Sequence, residues 1–148
     1  MAFYPVSVST AAARPTAVVA AATTWTEFPT LWPTLLDQVY AFVRRGGATQ
    51  DGHNVMLYWD DVPNVEVGVE VTGSFEPSGS IIPSVLPAGE VASTVHRGPY
   101  DALEEAHVAI KAWCLSHRHS LTGVRWEIYG DWHSDPADLE TTVCYQLA

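Results

Sequence analysis

Hydrophobic and polar positions alternate most regularly between Val65 and Val71, where valine occupies every second position. Glu66, Gly68 and Glu70 fill the positions between the valines. A period of two residues predicts a β-strand with one buried face. Shorter runs rich in β-branched and aromatic residues predict five more strands, at about residues 16–25, 54–59, 90–96, 124–132 and 141–147.

Two other segments carry hydrophobic residues at helical spacing. The first spans about residues 29–45, and its apolar positions are Trp32, Leu35, Leu36, Val39, Phe42 and Val43. Gly46 and Gly47 end this helix. The second helix is expected at about residues 101–119, with Asp101 as its N-cap. Its expected core positions are Leu103, Ala106, Ile110, Trp113 and Cys114.

The two halves of the chain match when the sequence is shifted by 71 positions, the separation of Tyr58 from Tyr129. Met56 then falls on Glu127. A repeat constrains architecture before any motif does, so this match predicts a strand-helix-strand-strand unit that occurs twice. We expect an α+β fold, a tandem β-α-β-β repeat in which a mostly antiparallel sheet carries both helices on one face and has a central ligand cleft. The expected boundaries are an arm at 1–14 and one domain at 15–148, with repeats at about 16–71 and 90–147 joined by a linker at 72–89.

Alternation also divides the two central strands into two faces. One set is expected to pack against the helices, together with the valines of 65–71: Val55, Leu57, Trp59, Trp126 and Ile128. The other set is expected to point into the groove between the repeats: Met56, Tyr58, Glu127 and Tyr129. Core packing is the expected role of Trp32, Trp113 and Trp126.

Glu127 is a carboxylate at a strand position where the pattern predicts an apolar residue. It lies between Trp126 and Ile128 and close to Tyr129. One interpretation places this charge at the floor of an aromatic recess, where it would favour flat hydrophobic cations. The alternatives are an edge strand with Glu127 in water, or a Glu127 that pairs with Arg125 or caps a backbone group. For Tyr58 and Tyr129 the alternative is ordinary packing on the sheet face.

Composition narrows the function classes. The 148 residues are 47% hydrophobic and carry 7 Lys+Arg against 17 Asp+Glu, a formal charge of −10. Such a chain is large enough for one compact core, and its acidity argues against direct nucleic-acid binding. No run reaches the length of a membrane span, and the small-residue run after Arg14 and Pro15 lacks the basic start of a signal peptide. We therefore expect a cytoplasmic protein without a membrane partner, in which Cys114 and Cys144 are buried free thiols. Its oligomeric state is left open.

Metal and cofactor sites are not indicated. Cys114, His117 and His119 are close in sequence, but their spacing is not that of an established zinc site. Nucleotide-binding glycine motifs and the nucleophile-elbow motif do not occur. We therefore expect no cofactor and no metal.

The run LPAGEVASTVHRGPYDALEEAHVAIKAWC (86–114), the segment WEIYGDW and the ending ETTVCYQL resemble the GyrI-like small-molecule-binding domain. This domain is also the effector-binding half of AraC-type and MerR-type multidrug regulators, and the resemblance covers about residues 15–148. It implies the tandem β-α-β-β fold, of the SHS2 type, with a cleft for hydrophobic and often cationic compounds. Because a DNA-binding half is missing from this sequence, the chain resembles the stand-alone members.

The resemblance also implies roles for individual residues. Glu127 matches the pocket carboxylate of the family. The matching aromatic wall positions are Trp25, Tyr58, Tyr100, Tyr129 and Tyr145. Met56 joins the expected ligand-binding residues as the repeat counterpart of Glu127.

Three function classes remain open. The first is a protein that sequesters or senses hydrophobic, cationic or polycyclic toxins. The second is a hydrolase, because one stand-alone subfamily opens cyclopropane-bearing DNA alkylators (the cyclopropanoid cyclopropyl hydrolases). In that case Glu127 and Tyr129 are the expected catalytic residues. The third is a protein-binding role of the gyrase-inhibitor kind.

Overall fold

Residues 3–148, the part of the chain that the computed structural model describes, form eight strands and two α-helices. The first half contains β1 (Ser7–Ala11), β2 (Arg14–Ala22), α1 (Phe28–Arg44), β3 (Thr49–Tyr58) and β4 (Asn64–Thr72). The second half contains β5 (Ile81–Leu86), β6 (Gly89–Arg97), α2 (Glu104–Ser116), β7 (Leu121–Tyr129) and β8 (Glu140–Leu147). Single 3₁₀ turns lie at Tyr100–Ala102 and Pro136–Asp138. Asp101 is therefore not the N-cap of α2, because it lies inside the first of these turns and α2 begins at Glu104.

The strands form one sheet in the order β1-β6-β8-β7-β3-β4-β2-β5, and all neighbouring strands are antiparallel. Around the β7–β3 junction the order is symmetric, since β6-β8-β7 on one side corresponds to β2-β4-β3 on the other. Each helix connects the outer to the inner strand of such a group of three. The expected α+β class is confirmed, with a mostly antiparallel sheet, two helices and a cleft at its centre. The division into repeats at 16–71 and 90–147 stays a prediction.

The segments expected to be an arm and a linker each contribute a strand to the sheet, with β1 paired to β6 and β5 paired to β2. Residues 72–89 contain β5. The pairing of β5 with β2 continues in the same register as the pairing of β1 with β6, so the pairs run from Ser7↔Ser93 to Val19↔Ile81. Ile81 and Leu86 are buried and fix β5 in place. Pro83 is tolerated because β5 is an edge strand, where a missing N–H need not break a ladder. The Gly/Pro/Ser-rich composition of the segment gave no sign of this strand.

The expected assignment of faces is wrong for the central strands. Met56 and Tyr58 lie in the cluster that packs against α1, together with the four alternating valines of β4. The residues expected there form a separate cluster on the other face, with Leu86, Val91 and Cys144: Val55, Leu57, Trp126 and Ile128. Because Met56 pairs with Val67, these two side chains share a face. The groove and the helices therefore lie on the same side of the sheet.

Other buried groups agree with the sequence in part. Cys114 and Cys144 are buried free thiols, as expected, and burial raises the pKa of the Cys144 thiol to about 11. Trp126 lies in the core, whereas Trp59 is exposed and donates its indole N–H to Glu66. In the described part of the chain, no helix is long and apolar enough to cross a membrane.

Candidate ligand-binding cavity

A cavity of about 950 Å³ lies on the helix side of the sheet, bordered by α1, α2 and the centres of β3 and β7. All seven residues expected to bind a ligand line it: Trp25, Met56, Tyr58, Tyr100, Glu127, Tyr129 and Tyr145. A volume of this size accommodates a drug-sized molecule. The structure thus brings the predicted residues together, while their contact with a ligand stays a prediction.

Glu127 lies at the inner wall of this cavity and is only 4% exposed. Its Oε1 accepts hydrogen bonds from the hydroxyls of Tyr58 (2.8 Å) and Tyr129 (2.7 Å). The same hydroxyls lie 3.7 and 3.5 Å from the sulfur of Met56. The register explains this convergence, because Met56 pairs with Glu127 and each is followed two residues later by its tyrosine on the same face.

His107 completes the set of groups around the carboxylate, and sequence reasoning missed it. Its Nε2 lies 2.6 Å from Glu127 Oε2, and its Nδ1 lies 2.7 Å from the hydroxyl of Tyr145. The residue is buried on α2. A signal was present in the sequence, since Leu103, His107, Ile110 and Cys114 follow helical spacing and place a histidine on the apolar stripe.

The tyrosines around Glu127 are held in their protonated form. Burial raises the pKa of Tyr58 and of Tyr129 well above the ordinary value of a phenol, and the negative charge of Glu127 raises both further. Burial also raises the pKa of Tyr145. All three hydroxyls therefore keep their hydrogens near neutral pH, and Tyr58 and Tyr129 act as stable donors to the carboxylate.

Arg125 is not the partner of Glu127. Its guanidinium binds Asp61 at 2.8 Å and donates to the backbone oxygens of Asp60 and Gly123. It also lies 5.5 Å from the ring centre of Trp25 and 5.6 Å from that of Tyr58. Two of the alternatives considered for Glu127, exposure to water and pairing with Arg125, therefore do not describe the structure.

The cavity walls are aromatic on both sides of Glu127. On the α1 side, the ring of Tyr58 lies 5.5 Å from Trp25 and 5.6 Å from Phe28, with Trp32 nearby in the lining. On the α2 side, Tyr100 packs edge-to-face on Tyr129 at 5.5 Å. Trp25 is 46% exposed, so part of its surface is open to an incoming molecule. Trp32 is thus a wall residue as well as a packing residue.

Charged groups at the mouth of the cavity are mostly acidic. The acidic residues that line it are Asp61, Glu104 and Asp131, and the basic ones are Lys111 and Arg125. Arg125 is paired with Asp61. His53 binds Asp131 at 2.9 Å. Within residues 3–148, no group of three or more His, Cys, Asp or Glu side chains is arranged to hold a metal ion. His117 and His119 stack on Trp113.

Comparison with known proteins identifies the family. The model of the GyrI-like small molecule binding domain matches residues 4–148. The chain belongs to this family. No curated protein matches the sequence.

Three solved structures share the GyrI-like fold of this chain. The EcmrR C-terminal domain has a TM-score of 0.84 at 21% identity, with 99% of each chain covered. SAV2435 bound to tetraphenylphosphonium has a TM-score of 0.71 at 10% identity, covering 97% of this chain and 94% of that one. A hydrolase from Listeria innocua has a TM-score of 0.61 at 9% identity, covering 97% and 91%. At these identities the likeness shows the fold alone.

Proposed function

We propose that this protein binds hydrophobic molecules, cationic or polycyclic, in the cavity around Glu127, and that it thereby sequesters or senses toxic compounds. The observation that carries the proposal is the buried carboxylate of Glu127 at the wall of an aromatic cavity. Two phenols and an imidazole bind this carboxylate, and within residues 3–148 no lysine or arginine pairs with it. The site is therefore built to keep a negative charge away from water.

A cation that enters the cavity gains from two kinds of interaction. Buried charges are costly without a partner, so a positive ligand compensates Glu127 where water cannot. Each aromatic face adds about 0.5–2 kcal/mol of cation–π attraction. Trp25, Tyr100 and Tyr129 supply such faces. A flat or polycyclic hydrophobic body fits the same walls.

The family and a structural neighbour support this proposal. The family model is that of a small-molecule-binding domain. SAV2435, which shares the fold, was solved with tetraphenylphosphonium, a hydrophobic cation with a permanent charge. Since that likeness concerns only the fold, we use this ion as a probe and not as the expected natural ligand.

Hydrolysis of an electrophilic natural product is the second candidate, because a carboxylate beside phenols is the arrangement that such a reaction needs. The hydrogen bonds favour binding over hydrolysis. Both tyrosyl hydroxyls donate to Oε1, and His107 lies on Oε2, which leaves one lone pair of the carboxylate for a water. Tyr129 would also have to leave Glu127 before it could support an oxyanion.

Native mass spectrometry with a panel of hydrophobic cations, neutral polycyclic compounds and cyclopropane alkylators tests the proposal. The expected result is a one-to-one complex with intact ligand. Failure of every compound to bind, measured also by quenching of tryptophan fluorescence, would contradict the proposal. Release of a hydrated product from an alkylator would establish the hydrolase function instead.

A further inference from the structure

The side chain of His107 lies between the carboxylate of Glu127 and the hydroxyl of Tyr145, an arrangement that the family assignment does not describe. One ring nitrogen contacts Glu127 at 2.6 Å and the other contacts Tyr145 at 2.7 Å. All three side chains are buried. Histidine is the side chain whose charge ordinarily changes between about pH 5 and 8. The protonation of His107 therefore decides whether the site carries a net negative charge.

The hydrogen bonds allow both protonation states. With neutral His107, the Tyr145 hydroxyl donates to Nδ1, Nε2–H donates to Glu127, and the carboxylate stays uncompensated. With one more proton, Nδ1–H donates to Tyr145, whose hydroxyl turns from donor to acceptor, and His107 forms an ion pair with Glu127. Both contacts of His107 survive the change.

We propose that His107 is a specificity-determining residue that makes ligand binding proton-linked. The Glu127–His107 pair takes up one proton in the free protein and releases it to solvent when a monocation binds. A cation stabilises the uncompensated carboxylate, whereas an uncharged ligand favours the ion pair, whose net charge is zero. The inference rests on the proposed binding function and adds that the ligand's charge competes with a proton.

The other charged and titratable groups around His107 do not take part in this proton exchange, which is confined to the Glu127–His107 pair. Tyr58, Tyr129 and Tyr145 stay protonated near neutral pH because the pKa of each is raised. Arg125 is held by Asp61. The other charged groups of the lining are Glu104 and Lys111 on α2, and Asp131 at the mouth. His53 is the other histidine of the lining, and it contacts Asp131 rather than Glu127.

The test compares tetraphenylphosphonium, whose charge is permanent, with uncharged triphenylphosphine oxide between pH 5.5 and 8.5. The affinity for the cation should rise with pH, by up to about tenfold per pH unit, until the proton is lost and the curve levels. The affinity for the oxide should stay level or fall. Calorimetry in two buffers of different ionisation enthalpy should show up to about one proton released per cation bound, a measurement that needs no variant.

Two matched variants assign the proton to His107. His107→Gln keeps an N–H for Glu127 but takes up no proton, so the pH dependence should disappear while the cation still binds. His53→Gln removes the histidine at the mouth and should leave the pH dependence unchanged. Cation binding without pH dependence or proton release in the wild type, or a dependence that persists in His107→Gln, would overturn this inference alone. Absence of binding to either probe at every pH would contradict the proposed function and this inference with it.

Discussion

Met56 and Glu127 lie directly opposite each other where β3 pairs with β7. Each is followed two residues later by a tyrosine, and the hydroxyls of Tyr58 and Tyr129 meet at Glu127 Oε1. The same hydroxyls lie within 3.7 Å of the Met56 sulfur. One strand thus contributes an uncharged thioether and the other a charge at equivalent places. The cavity acquires a single carboxylate at its centre, held by two phenols.

The tyrosines of the site should resist ionisation. The pKa values of Tyr58, Tyr129 and Tyr145 are raised, and burial also raises the pKa of Tyr4 outside the cavity, so absorbance at 295 nm should show these four of the six tyrosines staying protonated above pH 10 while the protein is folded. A raised pKa in the folded state gives stability that is present below about pH 10, the ordinary tyrosine pKa, and is lost as pH rises beyond it. The free energy of unfolding should therefore fall in alkaline solution.

Phenylalanine variants check this assignment. Tyr58→Phe and Tyr129→Phe should each remove one late-titrating phenol and leave the early-titrating group unchanged. Simultaneous ionisation of all six tyrosines near pH 10, with the circular dichroism of the folded protein intact, would show that these hydroxyls are not held by Glu127 and burial.

Glu127→Ala and Tyr129→Phe test the hydrolase alternative. We expect no product from cyclopropane alkylators with the wild type, because the hydrogen bonds of Glu127 leave little room for an activated water. If product does form, Glu127→Ala should abolish it, and Tyr129→Phe should slow it by about tenfold or more while the substrate still binds. Product formation is followed by liquid chromatography with mass detection. Undiminished turnover in both variants would exclude this pair as the catalytic residues.

Gly68→Ala should strongly destabilise the fold. A Cβ at Gly68 would lie 1.8 Å from the backbone oxygen of Ala17 on the neighbouring strand, so β2 and β4 would have to separate. We expect a loss of about 3 kcal/mol or more in the free energy of unfolding, measured with urea. Gly73→Ala is the control, because no atom of residues 3–148 lies within 4 Å of its Cβ although its φ is +69°; that variant should lose about 1 kcal/mol. Equal effects would contradict the close approach of the two strands.

Much of the fold could be predicted because its signals are local. The valine alternation of 65–71 and the helical spacing of 29–45 correspond to β4 and α1. The sheet face on which Val55 and Leu57 lie was predicted wrongly, because alternation shows only which residues of one strand share a face. It does not show which of those faces meets the valines of the next strand. That depends on the register Met56↔Val67, which is a long-range property.

The candidate site shows the same division between local and long-range information. Glu127, Tyr58 and Tyr129 stood out because a charge and two phenols interrupt apolar strands at repeat-related positions. His107 was missed because a histidine in a helix with several polar neighbours carries no local sign of a partner. Only the packing of α2 on the sheet brings it to Glu127, 20 residues away in sequence. Its place on the apolar stripe of α2 was the available clue.

In the proposed site the charge of Glu127 selects cations. Glu127→Gln keeps the shape and most hydrogen bonds but removes the charge, and its binding is measured by calorimetry against tetraphenylphosphonium and uncharged triphenylphosphine oxide. Glu104→Gln, which removes an exposed charge from the same cavity, is the matched control and should change little because solvent screens it. Glu127→Gln should weaken cation binding by about 1–3 kcal/mol and affect binding of the oxide much less. Equal losses for both ligands, or an unchanged affinity for the cation, would contradict this role of Glu127.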